Sequence, residues 1–197
     1  MLIKVLIAII ASYLLGTLSF AYIITKIVKG EDIRTLGSGN AGFTNALRVL
    51  PKPFAFLVFF LDMAKGIIAV RLSMWLVGDP GSAIGLLMVI VGHTFPFWLG
   101  FKGGKGIAAG FGGLIGCSPI LAACLLVIWA IVTLVSNHVS LGSIVVVAVM
   151  PFIGIAIKEP WYFILLLFVL AVLVIWLHRG NISRLRAGTE SKLFKNR

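Results

Sequence analysis

Residues 106–117, GIAAGFGGLIGC, decide how many times this chain crosses a membrane. They are apolar and glycine-rich, but they fall well short of the about 20 residues a helix needs to span hydrocarbon. The segment is either a compressed span or a re-entrant piece. On both sides of it the sequence is plainer, with apolar runs of spanning length near 2–25, 54–77, 82–99, 119–136, 140–157 and 160–178. At 60% hydrophobic and 12% charged residues among 197, with a mean hydropathy of +1.13, the chain cannot hide its apolar side chains in one soluble core. The expected fold is an all-α integral membrane protein forming a single domain, 1–197.

The basic residues choose between the two readings of 106–117. If the segment crosses, the loops 26–52, 100–105, 137–139 and 178–197 share one side of the membrane. They then collect thirteen of the 17 Lys and Arg residues: Lys26, Lys29, Arg34, Arg48, Lys52, Lys102, Lys105, Arg179, Arg184, Arg186, Lys192, Lys195 and Arg197. Lys4 and Lys158 fall on the far side, and Lys65 and Arg71 within a helix. If it does not cross, the basic loops are split between faces. Because cytoplasmic loops carry the Lys/Arg excess, the expectation is a seven-transmembrane-helix bundle with one short glycine-rich span, N-terminus outside and C-terminus cytoplasmic.

The net charge of +11 would suggest nucleic acid in a soluble protein, but placed between apolar runs it is better explained by topology and anionic lipid. No nucleic-acid partner is expected. The first run, Leu2 to Thr25, is longer than the about 7–15 residues of a signal-peptide core and has no basic cluster ahead of it, so it is read as a retained helix. Cys117 and Cys124 have no metal-type partners nearby and read as small core residues. Pro51, Pro53, Pro80, Pro119 and Pro160 mark joints. Pro96 is placed inside the third helix near its cytoplasmic end, where the backbone groups it frees need protein or water.

Beside the short segment stands GHTFPFWLGFKGGKG, 92–106, which sets Lys102 and Lys105 among Gly100, Gly103, Gly104 and Gly106. With few side chains in the way, several N–H groups can be aimed at one point, and Lys105 adds a point charge. That is chemistry for holding phosphate. No Ser or Thr follows the lysine and the glycine spacing fails the Walker pattern, so neither nucleotide nor magnesium is implied. The same residues equally describe a basic turn lying on an anionic bilayer face.

The loop GSGNAGFTNALR, 37–48, matches G-x-G-x-x-G formally, but it follows a membrane helix rather than a strand, and the dinucleotide reading is rejected. What it displays is Ser38, Asn40, Thr44, Asn45 and Arg48, suited to an anionic, hydroxyl-bearing ligand or, more plainly, an ordinary polar loop with Ser38 or Asn40 as a cap. Asp62 and Lys65 are three apart on one helix face, deep enough that an unpaired charge is costly, and they read as a mutual structural pin. Arg71 is read as snorkelling to the outer interface. SNHVSLGS, 136–143, offers His138, Ser140 and Ser143 at a helix start, an anion site or an interfacial turn. The tail HRGNISRLRAGTESKLFKNR, 178–197, interrupts a basic sequence with Ile182, Leu185 and Leu193 in the manner of a surface-lying amphipathic segment. His178 and Asn181 face one site if the helix continues through them, and Glu190, the tail's only acid, is read as bound to a nearby Arg or Lys.

Four stretches in this order, DIRTLGSGNAGFTNALR (32–48), DMAKG (62–66), GHTFPFWLGFKGGKGIAAGFG (92–112) and NISRL (181–185) followed by Glu190, resemble the acyl-phosphate-dependent glycerol-3-phosphate acyltransferases, the PlsY type of bacterial inner membranes. The resemblance runs over nearly the whole chain. It implies transfer of a fatty acyl group from acyl phosphate to the 1-hydroxyl of glycerol 3-phosphate, giving lysophosphatidic acid and inorganic phosphate, the first acylation of phospholipid synthesis. By position it implies Ser38 and Arg48 as an essential pair, and Gly103, Gly104 and Gly106 with Lys105 as the glycerol-phosphate loop. It also implies His178 and Asn181 as the functional pair of the last motif, with Glu190 as its structural acid. Ala41 stands where a proline is common, and SNHVS replaces a more usual tyrosine-serine-serine-like run.

Resemblance and residue chemistry together give the expected catalytic set Ser38, Arg48, Lys105, His178 and Asn181. Gly39, Asn40, Thr44, Asn45, His93, Lys102, Gly103, Gly104, Gly106 and Ser143 are expected to bind substrate, and Asp62, Lys65 and Glu190 to be structural. No metal or cofactor is expected. Attack is direct, without an acyl-enzyme, and the base stays open among His178, His93 and a substrate phosphate oxygen. The expected partners are glycerol 3-phosphate, acyl phosphate and membrane lipid, with no obligatory protein partner and the active site at the cytoplasmic side. From another class, an organophosphate transporter and a lipid-binding assembly subunit compete. Charged loops on one face, with almost nothing polar on the other, speak against transport.

Overall fold

The structure, a computed structural model, describes residues 1–194; Lys195 and Arg197, counted above, lie outside them. It is all-α and divides into two compact units, Met1–Cys117 and Ser118–Arg197. The first holds α1 (Leu2–Thr17), α2 (Phe20–Lys29), α3 (Phe43–Val49), α4 (Lys52–Val77), α5 (Gly81–Thr94) and α6 (Ile107–Cys117). The second holds α7 (Pro119–Ser136), α8 (Val139–Ala156), α9 (Trp161–Leu177) and α10 (Arg179–Arg186).

Among the described residues, five helical segments are long and apolar enough to cross a membrane: Leu2–Lys29, Lys52–Val77, Gly81–Leu99, Pro119–Ser136 and Val139–Ala156. A sixth is obtained if α9 and α10, bent by 57° at their junction, are taken as one span. At about 1.5 Å per residue, α6 rises only about half the hydrocarbon thickness.

Two expected helices are corrected. The first apolar run is not one helix over 2–25: Leu18 and Ser19 leave helical geometry, and the chain resumes as α2 at Phe20. The third stops at Thr94 rather than 99, and Pro96 follows it instead of lying within it. Proline disfavours helical geometry at the residue before it, and Phe95 accordingly sits at φ −123, ψ 60. The carbonyls released there are used at once: Pro96 O accepts Phe101 N at 3.0 Å, and Thr94 O and His93 O accept Gly103 N and Gly104 N, each at 3.0 Å.

In the first unit α4 is central, packed against α1, α5 and α6. Glycines set how closely these helices approach. A Cβ built on Gly66 of α4 would lie 2.7 Å from Gly113 N and collide with Ala109 O of α6, and one on Gly112 would lie 2.7 Å from Met63 Cα. Gly16 of α1 and Gly92 of α5 meet in the same way, a Cβ on either standing 3.0 Å from the other's Cα. With apolar lipid outside, helix association leans on such close backbone contact. Gly112 and Gly116 therefore serve the packing of α6 on α4, while Gly106 and Gly110 face Ile90 of α5.

Gly66→Ala should force α4 and α6 apart and destabilise the protein by about 1–3 kcal/mol, the usual cost of overpacking. Thermal unfolding in detergent checks it, and an unchanged melting temperature would show that the crossing has slack.

Candidate active site

The segment after α2 is built by local hydrogen bonds. Gly30 ends α2 in the left-handed region at φ 72. Asp32 then accepts from Arg34 N at 2.9 Å and from its guanidinium at 2.7–3.0 Å. The Arg34 hydrogen bond holds the Asp32 carboxyl below its ordinary value. Arg34 also reaches across to Leu99 O at 2.6 Å and lies over the Tyr22 ring, tying this loop to the chain beyond α5. Gly37 and Gly39 take positive φ values of 56 and 72, which turns the backbone so that Ser38 is exposed.

Asn45, among the expected substrate-binding residues, is tied into the loop itself. It is 1% exposed; its Oδ1 accepts Ser38 N at 2.8 Å, and its Nδ2 donates to Leu36 O at 3.0 Å and Ile33 O at 3.3 Å. Asn45 is thus the internal tie that presents Ser38. Asn40 and Thr44 are half-buried beside it, and Arg48, in the last turn of α3, is exposed.

The glycine–lysine loop departs from expectation in a specific way. Gly103 and Gly104 do not aim their N–H groups at a ligand, because both donate to the carbonyls of Thr94 and His93. Their lack of side chains has a steric use. A Cβ on Gly103 would stand 2.7 Å from the Pro96 ring, and one on Gly104 would strike the His93 ring and stand 2.9 Å from Ala41 O. The contact with Ala41 brings the Ser38–Arg48 loop directly against the lysine loop. Lys102 is exposed and Lys105 half-buried, immediately before α6. The first N–H groups of a helix lack intrahelical acceptors, so the donors available for an anion here are those at the start of α6, beside Gly106 at φ +82.

Under this loop lies a buried charge cluster. Lys65 Nζ is 2.8 Å from Asp62 Oδ1, 2.9 Å from His93 Nδ1, and donates to Gly16 O at 3.1 Å and Leu18 O at 2.6 Å. His93 is 5% exposed and packs inside the protein.

In the second unit Glu190 is the hub. Its Oε1 accepts from Ser140 Oγ at 2.9 Å and Asn181 Nδ2 at 2.7 Å, and its Oε2 from Arg184 Nε at 2.6 Å. Burial pushes the Glu190 carboxyl up, but the hydrogen bonds from Asn181, Arg184 and Ser140 outweigh it and hold the group below its ordinary range. Ser140 lies in the first turn of α8, so the anion at that helix start is the chain's own carboxylate. Ser143 is 4% exposed and donates to Val139 O at 2.9 Å, which turns it into its own helix. His138 pairs through Nδ1 with Ser136 O at 2.6 Å. His178 sits at the bend between α9 and α10, 4% exposed, with Nδ1 2.8 Å from Val174 O. A carbonyl only accepts, so the Nδ1 of His178 carries a proton.

Sequence reasoning missed two ties: Arg34 to Leu99, and Asn137, whose backbone and side chain bind Leu193 N, Phe194 N and Phe194 O and so dock the tail. An Asp two residues before Arg34 was a visible signal for the first; nothing local signalled the second.

A family model described as glycerol-3-phosphate acyltransferase matches residues 6–188. The chain belongs to the PlsY-type glycerol-3-phosphate acyltransferase family. A glycerol-3-phosphate acyltransferase of Moorella thermoacetica is 43% identical over 188 residues, covering 95% of this chain and 97% of the relative. One of Clostridioides difficile is 42% identical over 195 residues, covering 96% and 95%. Among solved structures, the integral membrane acyltransferase PlsY in its glycerol 3-phosphate form superposes with a TM-score of 0.90 at 36% identity over 95% of this chain and 94% of that one. Its lysophosphatidic acid form gives 0.86 at 34% identity, again over 95% and 94%. The chain is therefore a multi-pass membrane acyltransferase, and the transporter and assembly-subunit readings fall away.

A carboxyl held below its unfolded value adds stability above the ordinary carboxylate range, and that stability disappears as pH falls through the lowered value. Glu190→Gln should therefore lower the melting temperature at pH 7, and the gap to the parent protein should close as the pH is brought toward about 3. A gap independent of pH would show that the Glu190 charge contributes nothing to docking the tail.

Proposed function

We propose that this acyltransferase moves a fatty acyl group from acyl phosphate to the 1-hydroxyl of glycerol 3-phosphate, releasing lysophosphatidic acid and inorganic phosphate. The observation that carries the reading is the meeting of two loops of the first unit at Gly104 and Ala41, one bearing Lys102 and Lys105, the other Ser38 and Arg48. Adjacent anion-holding loops suit a reaction in which both reactants carry phosphate. The PlsY forms with glycerol 3-phosphate and lysophosphatidic acid support the acceptor and the product.

An acyl phosphate is already an activated mixed anhydride, so no protein nucleophile is needed. The acceptor hydroxyl attacks the acyl carbon, the bond from that carbon to the phosphate oxygen breaks, and phosphate leaves with the electron pair. Arg48 and Lys105 neutralise phosphate charge, while Ser38, Asn181 or backbone N–H groups stabilise the oxyanion. The hydroxyl proton goes to His178; a substrate phosphate oxygen is the alternative base.

The topology belongs to the same proposal: one domain crossing seven times with α6 as the short span, N-terminus outside, and the active site and C-terminus on the cytoplasmic side of a bacterial inner membrane. The clustering of thirteen of the 17 basic residues supports it. So does the close packing of α6 on α4, which gives a helix too short for lipid a protein surface along its length.

Purified protein in micelles, given acyl phosphate and labelled glycerol 3-phosphate, should form lysophosphatidic acid without vesicles or added subunits; no product would end the reading. Lys105→Ala should raise the KM for glycerol 3-phosphate by about tenfold or more, the loss of one charge-assisted phosphate contact. An unchanged KM contradicts its phosphate role. His178→Ala should lower kcat by about a hundredfold or more if it is the base, whereas retention of most turnover transfers that role to the substrate.

A further inference from the structure

An ammonium has three protons to donate. Those of Lys65 meet three acceptors, Gly16 O, Leu18 O and His93 Nδ1, at 3.1, 2.6 and 2.9 Å. Asp62 Oδ1, 2.8 Å away, supplies the opposite charge and stands 3.6 Å from His93 Nδ1. With Nδ1 accepting from Lys65, the His93 proton resides on Nε2. That edge of the ring is turned to the glycine loop: it is the Nε2 and Cδ2 atoms that a Cβ on Gly104 would run into. The backbone of the same residue accepts Gly104 N, and Thr94 O accepts Gly103 N. His93 therefore touches the loop with both its ring and its carbonyl, and the ring is held from behind by a buried ion pair.

We propose that His93, clamped by Lys65 and Asp62, is a positioning residue for the acceptor. It fixes the seat of Gly103 and Gly104, and through them the place of Lys105 and the start of α6. A charge cluster buried among α1, α4 and α5 thus governs affinity for the acceptor's phosphate without touching it. The inference rests on the acyl transfer proposed above. It also removes His93 from the candidate bases, because Nδ1 is committed to Lys65 and Nε2–H is a donor.

The deciding variant is His93→Asn, whose amide oxygen can stand near the place of Nδ1 and keep an acceptor for Lys65, but whose short side chain no longer reaches the loop. On the full chain in micelles, the KM for glycerol 3-phosphate should rise about tenfold or more, as expected of a misplaced binding group. The KM for acyl phosphate and the shape of the kcat–pH profile should stay at parental values. An unchanged KM for glycerol 3-phosphate overturns the proposal, and so does loss of one limb of the pH profile, which would make His93 the base. Should His93→Asn not fold, Gly104→Ala alone and combined with His93→Ala tests the contact from the other side. Removing the ring should restore at least about threefold of the affinity lost in Gly104→Ala, and additive losses would overturn the proposal. Parent protein inactive toward glycerol 3-phosphate would instead sink the acyl-transfer reading itself.

Discussion

A lysine ammonium in a dehydrated helical bundle has to find an acceptor for every proton and a counter-charge, or it costs several kcal/mol. Lys65 finds them on three separate helices: Asp62 on its own α4, His93 on α5, and the carbonyls of Gly16 and Leu18 where the first span breaks. The need is mutual. A break in a membrane helix leaves carbonyls without intrahelical donors, and hydrocarbon supplies none. The break at Leu18 and Ser19 and the buried ammonium satisfy one another, and neither would persist alone. Two further bonds close the same region, Trp98 Nε1 to Thr17 O at 2.9 Å and Tyr13 OH to Phe95 O at 3.0 Å. The register of α1, α4 and α5 follows from this small group of polar contacts together with the Gly16–Gly92 crossing.

Glycine does one physical job in two places. Between α4 and α6 it lets helix backbones touch; at 103–104 it lets a loop lie flat on the residues that end α5. The second use transmits the first. A loop seated on His93 inherits the precision of the helix crossing beneath it, and the lysine and helix start that follow are carried on that seat. The N–H groups of Gly103 and Gly104 are used inside the protein, so the proposed phosphate role falls to Lys105 and the beginning of α6.

The membrane class was legible because run length and hydropathy report directly on what solvent a segment tolerates, and Asp62 and Lys65 were legible as a pair because helical spacing puts them on one face. His93 could not be joined to them, since nothing in a sequence links positions on different helices. The break at Leu18 was hidden for a related reason: neither Gly nor Pro stands there, and the donor that stabilises it belongs to another helix. The internal hydrogen bonds of Gly103 and Gly104 were not legible, because close packing and ligand approach demand the same residue. At Ser140 the chemistry was legible and the occupant was not, for an anion does sit at that helix start, supplied by Glu190 from the tail.

That last arrangement bears on how a chain so poor in acids handles anionic ligands. The sequence has only 6 Asp and Glu against 17 Lys and Arg, so acids are too few to neutralise the bases. Three of the six are assigned: Asp32 to Arg34, Asp62 to Lys65, and Glu190 to Arg184. Each of these pairs closes locally, within a loop, a helix face or the tail, and each tightens the scaffold where it closes. Arg48, by contrast, shares no ion pair with a carboxylate among the described residues, and it stands exposed on a loop whose shape Asn45 fixes from within. Holding these acids in the frame leaves the Arg48 guanidinium outside their ion pairs, and it is this surplus of positive charge that the proposed phosphate role of Arg48 draws on.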